Sequence, residues 1–347
     1  MTTLYCYDPL YLEHNLAGHP ENRARLEQVM ATLATTGLLE RMAPLRPRPV
    51  DLALLARVHA EDHVTAVRRL AERGGGHLDM DTYVGPASCD AALLAAGGAV
   101  ELVRAVLDGH GHNGIALVRP PGHHATRGRG MGFCLFNNVA AAAQAALDEF
   151  GLERVLIVDW DVHHGNGTQD IFYDSPRVFY FSTHQYPHYP GSGHWRERGL
   201  GAGLGYTVNV PLPAGVGDEG FRRIFAELLT PLAERFRPQL ILVSAGYDAH
   251  WSDPLAGLFL SLAGYWQIAQ TVVGLAERLC EGRLVVLLEG GYNLTVLAHG
   301  VADTCRALLG DPAPGPDPLG ACPRPERSVG DVLSNYTAAR FPFDNPG

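Results

Sequence analysis

Short apolar runs recur along the chain, at 114–118 (GIALV), 154–158 (RVLIV), 178–181 (VFYF), 206–210 (YTVNV), 239–243 (QLILV) and 283–288 (RLVVLL). Runs of this length rich in Val, Ile and Leu predict strands buried on both faces, as in a parallel sheet. Between them lie stretches of helical period, notably 136–150 (FNNVAAAAQAALDEF), 221–236 and 262–280. Strand alternating with helix predicts an α/β fold, a central and mostly parallel sheet with helices on both faces and right-handed crossovers. Residues 22–73 read as helices and loops ahead of the regular sheet. From 311 to 325 (DPAPGPDPLGACPRP) proline and glycine are too frequent for regular structure. No linker divides the rest, so a single domain over 1–310 is expected, with a Pro/Gly-rich tail at 311–347 packed on it or trailing.

The polar residues just past the apolar runs carry the chemistry. In an open α/β sheet, ligands bind beyond the carboxyl ends of the strands. GIALV leads to His123 and His124, and RVLIV to Asp159, Asp161, His163, His164 and Asn166. QLILV leads to Asp248 and His250, and RLVVLL to Tyr292. One aspartate after a strand ordinarily caps the next helix, and one histidine is ordinarily structural. Four strand ends that deliver His, Asp and Tyr to one rim predict a site instead. If the chain stays extended, Asp159, Asp161 and His163 stand at i, i+2 and i+4 and face the same side. Asp248 is the natural third ligand beside Asp161 and His163, and three protein ligands with an open position are the pattern of catalytic zinc. His123 and His124 come after the rigid turn Pro120-Pro121-Gly122. Asp159 and Asn166 are available to fix their tautomers and ring orientations. A histidine so placed can serve as the base that activates water. Tyr292, after Gly290-Gly291, can donate a hydrogen bond to the oxygen that gains charge as an amide carbonyl becomes tetrahedral.

Composition narrows the class of partner. The chain has 347 residues, 46% of them hydrophobic, enough for a sizeable core. A formal charge of -10 argues against non-specific nucleic-acid binding and favours the approach of cations. The six cysteines form no C-x-x-C pair, so neither a disulfide framework nor a cysteine zinc site is expected. Without a basic, then apolar, N-terminal segment or an apolar run near the ~20 residues that span a bilayer, a cytoplasmic protein with no membrane partner is expected.

RPPGHHA, GFCLFNNVA, VDWDVHHGNGTQ, SAGYDAHWSDPLAG and LEGGYN, in this order, resemble the histone deacetylase and acetylpolyamine amidohydrolase family, from His19-Pro20-Glu21 onward. The resemblance implies the arginase/deacetylase fold and zinc-dependent hydrolysis of an acyl amide, with acetyl foremost, on a lysine side chain or small amine. It implies Zn2+ on Asp161, His163 and Asp248, with His124 as general base and acid, His123 oriented by Asp159, and Tyr292 polarising the carbonyl. Gly132 and Phe133 would line a narrow tunnel opposite Tyr189, with Leu255 at its mouth. Potassium is implied beneath the zinc, at Ser182, Thr183 and the backbone around Asp159, Asp161 and His163. A small-molecule or peptide acyl amine is the implied substrate, and a homo-oligomer is compatible. Asn166 and Tyr292 place the chain on the class II side. Polyamine-specific members carry a carboxylate where Leu255 stands, which sets an acetylpolyamine amidohydrolase as the alternative. A two-manganese hydrolase needs a carboxylate at position 165, which is Gly165, and a non-catalytic acyl-amine binder is expected to have lost Tyr292 or a metal ligand.

Overall fold

The computed structural model describes residues 2–337 and 339–343. Its frame is an eight-stranded sheet in the order β2-β1-β5-β10-β9-β6-β7-β8. These strands are β1 (Thr3–Cys6), β2 (Ala43–Leu45), β5 (Asn113–Ala116), β6 (Val155–Asp159), β7 (Val178–Gln185), β8 (Thr207–Leu212), β9 (Leu240–Ala245) and β10 (Leu284–Leu288). Every pairing in it is parallel. A separate two-stranded antiparallel ribbon joins β3 (Gly76–His77) to β4 (Tyr83–Val84).

The six apolar runs are the six strands β5 to β10, with bounds that differ by at most two residues except in β7, which runs four residues further. In β6, β9 and β10 every residue is buried, and each such Val, Leu or Ile contributes about 1.5–3 kcal/mol by leaving water. Two groups of helices cover the sheet. Helix α4 (Ser88–Leu107) packs on α5 (Asn138–Glu149), while α10 (Leu294–Leu308) lies between α1 (Ala24–Thr35) and α9 (Leu262–Cys280). Both groups touch β5 and β9 while neither packs against the other, so they lie on opposite faces. The helical stretch 221–236 forms α7 (Asp218–Ile224), a π-helical turn (Phe225–Leu229) and α8 (Thr230–Phe236). Pro231 accounts for the break, because it lacks the N–H that would continue the ladder, and Thr230 Oγ1 bonds Phe225 O at 2.8 Å instead.

After α10 the described tail has no regular element until the short helix Gly330–Ser334. Tyr336 donates its hydroxyl to Asn209 O, and the Phe343 ring stands 5.3 Å from Phe179 and 5.6 Å from Phe236. The last four positions of the expected tail, 344–347, lie outside the described residues, as does 338. No helix among the described residues is long and apolar enough to cross a membrane.

Candidate active site

The strands whose downstream segments carry His, Asp and Tyr are β5, β10, β9 and β6, four neighbours at the middle of the sheet. Parallel pairing puts all their carboxyl ends on one rim, so the four polar segments meet there. One ligand atom each from Asp161, His163 and Asp248 lies within 4.8 Å of the other two. His163 Nδ1 is 3.2 Å from Asp161 Oδ1 and 3.3 Å from Asp248 Oδ2. The second contact is close but poorly aligned, and buried Asp248 Oδ2 accepts no proper hydrogen bond. Two buried carboxylates facing one imidazole are costly unless a cation neutralises them, and an O, N, O donor set suits a divalent zinc-like ion. The end of β10 comes close enough to help. Gly290 N donates to Asp161 Oδ2 at 2.8 Å, and a Cβ on Gly290 would stand only 2.1 Å from Asp248 Oδ2.

The path after β6 differs from the extended one expected. Strand geometry ends at Asp159, and the chain then turns on its own carboxylates. Asp161 N donates to Asp159 Oδ1 at 3.1 Å and His163 N to Asp161 Oδ1 at 2.9 Å. Asp159 therefore stays out of the metal cluster. Its Oδ2 meets His123 Nδ1 at 3.0 Å and accepts the Tyr180 hydroxyl at 2.9 Å. His124 Nδ1 pairs with Asn166 Oδ1 at 2.8 Å, so each ring is held through Nδ1, while His123 Nε2 faces Asp161 Oδ1 at 3.8 Å. The ring centroids of the pair are 4.1 Å apart.

Burial and neighbouring charge separate the two histidines. Burial alone would lower His123, but the carboxylates of Asp159 and Asp161 outweigh it and raise His123 to about 10. His124 is held well below the ordinary value by burial and by the nearby His123 and His163, so it stays neutral. Burial also raises the Tyr292 phenol, which stays protonated and able to donate.

A cavity of about 220 Å³ opens onto these groups. His123, His124, His163 and Tyr292 line it, as do Gly132, Phe133, Tyr189 and Leu255, all named from the sequence. Phe133 stands edge-on to Tyr292 at 5.8 Å and Tyr189 edge-on to His124 at 5.2 Å, so the walls are aromatic. His250 is buried away from the cluster, its Nδ1 on Ser252 Oγ at 2.9 Å, and neither it nor Trp251 lines the cavity. At position 165 a Cβ would meet Asp159 Oδ2 at 2.2 Å and the Tyr180 hydroxyl at 2.5 Å. No carboxylate fits there, which removes the bridge a second metal would need.

Several residues at the site carry no sequence signal of their own. Asp81, beyond the β3 strand of the ribbon, and His188 both line the cavity, and His188 Nε2 bonds Leu255 O at 3.0 Å. Asp253 Oδ2 accepts Tyr292 N at 2.8 Å and Asn293 N at 3.1 Å, which fixes the backbone that carries the phenol. Arg25, whose guanidinium lies 5.1 Å from the Tyr292 ring centre, is bonded to Glu289 O, Gly291 O and Glu21. Buried Glu289 takes the N–H groups of Gly122 and His123 at 2.7 and 3.2 Å and so seats the histidine pair from below. These contacts join residues far apart in the chain, so only the fold reveals them.

Comparison with known proteins places this geometry. The model of the histone deacetylase domain matches residues 19–308. A protein of Archaeoglobus fulgidus named "Probable deacetylase" is 44% identical over 297 residues, covering 85% of this chain and 82% of that one. The human "Polyamine deacetylase HDAC10" is 41% identical over 335 residues, 93% of this chain and 49% of its own length. The crystal structure of the HDA15 HD domain superposes with a TM-score of 0.86 at 40% identity, covering 90% of each chain.

Proposed function

The chain belongs to the histone deacetylase family, and from that premise we propose that it is a zinc-dependent amidohydrolase that removes an acyl group, acetyl foremost, from a lysine side chain or small amine. The observation that carries this reading is the meeting of the Asp161–His163–Asp248 cluster, the histidine pair and Tyr292 at one end of a single cavity. Zinc held by that cluster supplies Lewis acidity, which polarises an acyl carbonyl and acidifies water.

The protein's own groups do the rest. Neutral His124 accepts the proton of the attacking water and returns it to the leaving amine. Asn166 holds the His124 ring, and Asp159 does the same for His123. Tyr292 donates to the carbonyl oxygen as it gains charge. Gly132, Phe133 and Tyr189 exclude water around the acyl-bearing arm. We place potassium at Ser182, Thr183 and the backbone around Asp159, Asp161 and His163. We read the protein as cytoplasmic, acting on small-molecule or peptide acyl amines without nucleic-acid or membrane partners, with homo-oligomerisation compatible.

The test is release of acetate and free amine from acetyl-lysine peptides by protein carrying one zinc per chain, abolished by a chelator and restored by zinc. Zinc-loaded protein that binds such peptides yet releases no acetate would make it a non-catalytic binder. Tyr292→Phe is expected to keep zinc and fold while kcat falls by about 10²–10³, the usual cost of one such donor. Near-normal kcat in that variant would remove the phenol from the chemistry.

A second reading, an acetylpolyamine amidohydrolase, is favoured by one observation, the carboxyl-bearing Asp81 on the cavity wall. Against it, Leu255 presents an apolar surface at the mouth. An ammonium–carboxylate hydrogen bond contributes about 1.5–3 kcal/mol. Leu255→Glu should therefore raise kcat/KM for acetylspermidine relative to an acetyl-lysine peptide at least several-fold, roughly one to two decades at most. The gain should shrink with salt. If the unmodified enzyme already prefers acetylspermidine by orders of magnitude and Asp81→Asn abolishes that preference, the polyamine reading replaces the first.

A further inference from the structure

The family domain ends at 308, yet the irregular segment after it returns to the loop that carries Leu255 of the active cavity. Residues 320–327 clamp both ends of the loop 251–259, which carries Asp253 and Leu255. Trp251 Nε1 donates to Gly320 O at 3.1 Å, and Arg324 Nη2 reaches Trp251 O at 3.5 Å. The Arg324 guanidinium lies over the Phe259 ring, 4.0 Å from its centre. Arg327 N donates to Gly215 O at 2.7 Å, and Gly215 N in turn to Gly257 O at 2.8 Å. The strap is thus a built wall beside the mouth and not a loose end.

Between strap and loop lies a second cleft of about 520 Å³, with Ala214, Gly215, Ala256 and Gly257 as a small-residue floor and Arg324 and Arg327 as its charged edge. It adjoins the active cavity. Leu255 lines one and Gly257 the other, and two residues separate their Cα atoms by no more than about 8 Å. Neither guanidinium pairs with a carboxylate among the described residues. The one acid in the cleft, Glu326, is turned to the start of α7, where it accepts Glu219 N at 3.2 Å and Gly220 N at 3.3 Å. In a chain of net charge -10, two unpaired arginines at this place form a local exception to the overall field. Planar guanidiniums are matched to carboxylates.

We propose that this cleft is a substrate subsite for an acidic side chain lying about one to three residues from the acyl-lysine, a span an extended peptide covers at about 3.3–3.6 Å per residue. The proposal rests on the acyl-lysine hydrolysis proposed above. A floor of glycine and alanine admits a peptide backbone, Arg324 is fixed by Phe259 and Trp251, and Arg327 stands free to close on a carboxylate.

The test compares acetyl-lysine peptides carrying Asp, Asn or Lys at the flanking positions. The wild-type protein should favour Asp over Asn in kcat/KM by about 1.5-fold to fivefold, the range of exposed charge pairs, and the ratio should fall as salt rises. Reversing both charges, Arg324→Glu with Arg327→Glu, should invert the order so that Lys exceeds Asp. Arg324→Lys, which keeps the charge, should retain the order. If the double variant does not fold, Arg327→Glu alone must reduce the ratio, since no hydrogen bond or ion pair of that side chain among the described residues supports the fold. Equal rates for Asp and Asn in the wild type, or an acidic preference that survives charge reversal, would overturn the subsite. A protein that hydrolyses small acetylated amines but no peptide overturns the subsite and leaves amide hydrolysis standing. A protein that hydrolyses neither overturns the parent reading.

Discussion

Asp248→Ala is expected to give a protein that retains no stoichiometric divalent metal and no measurable amide hydrolysis. Asp248 is fully buried and offers one of the three donor atoms of the cluster, so its removal leaves Asp161 and His163 on one short stretch of chain and nothing opposite. Two protein ligands fall short of the three that hold catalytic zinc. The carboxylate also has a structural duty, because Asp248 Oδ1 accepts Val162 N at 2.9 Å. Asp248→Asn separates the two, since the amide oxygen still accepts Val162 N but carries no charge for the metal. The asparagine protein should keep its circular dichroism and unfolding midpoint while metal content after dialysis falls well below one per chain. Metal content measured by mass spectrometry decides the point. Stoichiometric zinc in an inactive alanine variant would take Asp248 out of the ligand set. Two ions per wild-type chain would reopen the two-metal reading, against the steric closure of position 165.

Most of this site was legible because parallel strands buried on both faces are written as continuous apolar runs, and the residues just past each run must lie on one rim. That single rule brings together Asp161, His163, Asp248, His123, His124 and Tyr292 without any contact being known. The elements it missed have physical reasons. β1 and β2 are strands of four and three residues at one side of the sheet, one of them containing Pro44, and too short for a pattern. The 20-residue helix α4 has Gly97-Gly98 at its middle, where glycine ordinarily argues against a helix. Asp81 and His188 sit on loops, which have no period to read. Irregular backbone such as that at 311–325 can still be firmly held, here by the hydrogen bonds from Trp251 Nε1 to Gly320 O and from Gly315 N to Asp303.

The order of the strands also explains why the two histidines take different partners. His123 and His124 follow β5 on adjacent residues, and both partners come from the end of β6 and the segment just after it. Asp159 closes that strand and Asn166 opens the helix after it (Asn166–Phe172), so one imidazole meets a carboxylate and the other an amide. A carboxylate favours the imidazolium, whereas an amide only orients the ring. His124 is therefore the group kept neutral and able to accept a proton, with its free nitrogen facing the cavity that Tyr189 walls.

On this basis His124→Ala is expected to slow the chemical step more than His123→Ala does. The difference reflects general acid–base catalysis, which contributes about 10²–10⁴ in rate. Single-turnover measurements with both variants separate chemistry from binding and product release. Equal losses would mean that the pair acts as one coupled unit. A second variant tests the partner rather than the ring. Asn166→Asp places a carboxylate on His124 Nδ1, so the folded-state pKa of His124 should rise, by about one unit or more. A base with a raised pKa becomes deprotonated only at higher pH, so the acidic limb of kcat/KM should move to higher pH. Zinc content should stay at one per chain, because Asn166 touches none of the three ligands. If the acidic limb does not move while His124→Ala abolishes the chemical step, the limb belongs to another group, and the base assignment must rest on the single-turnover comparison alone.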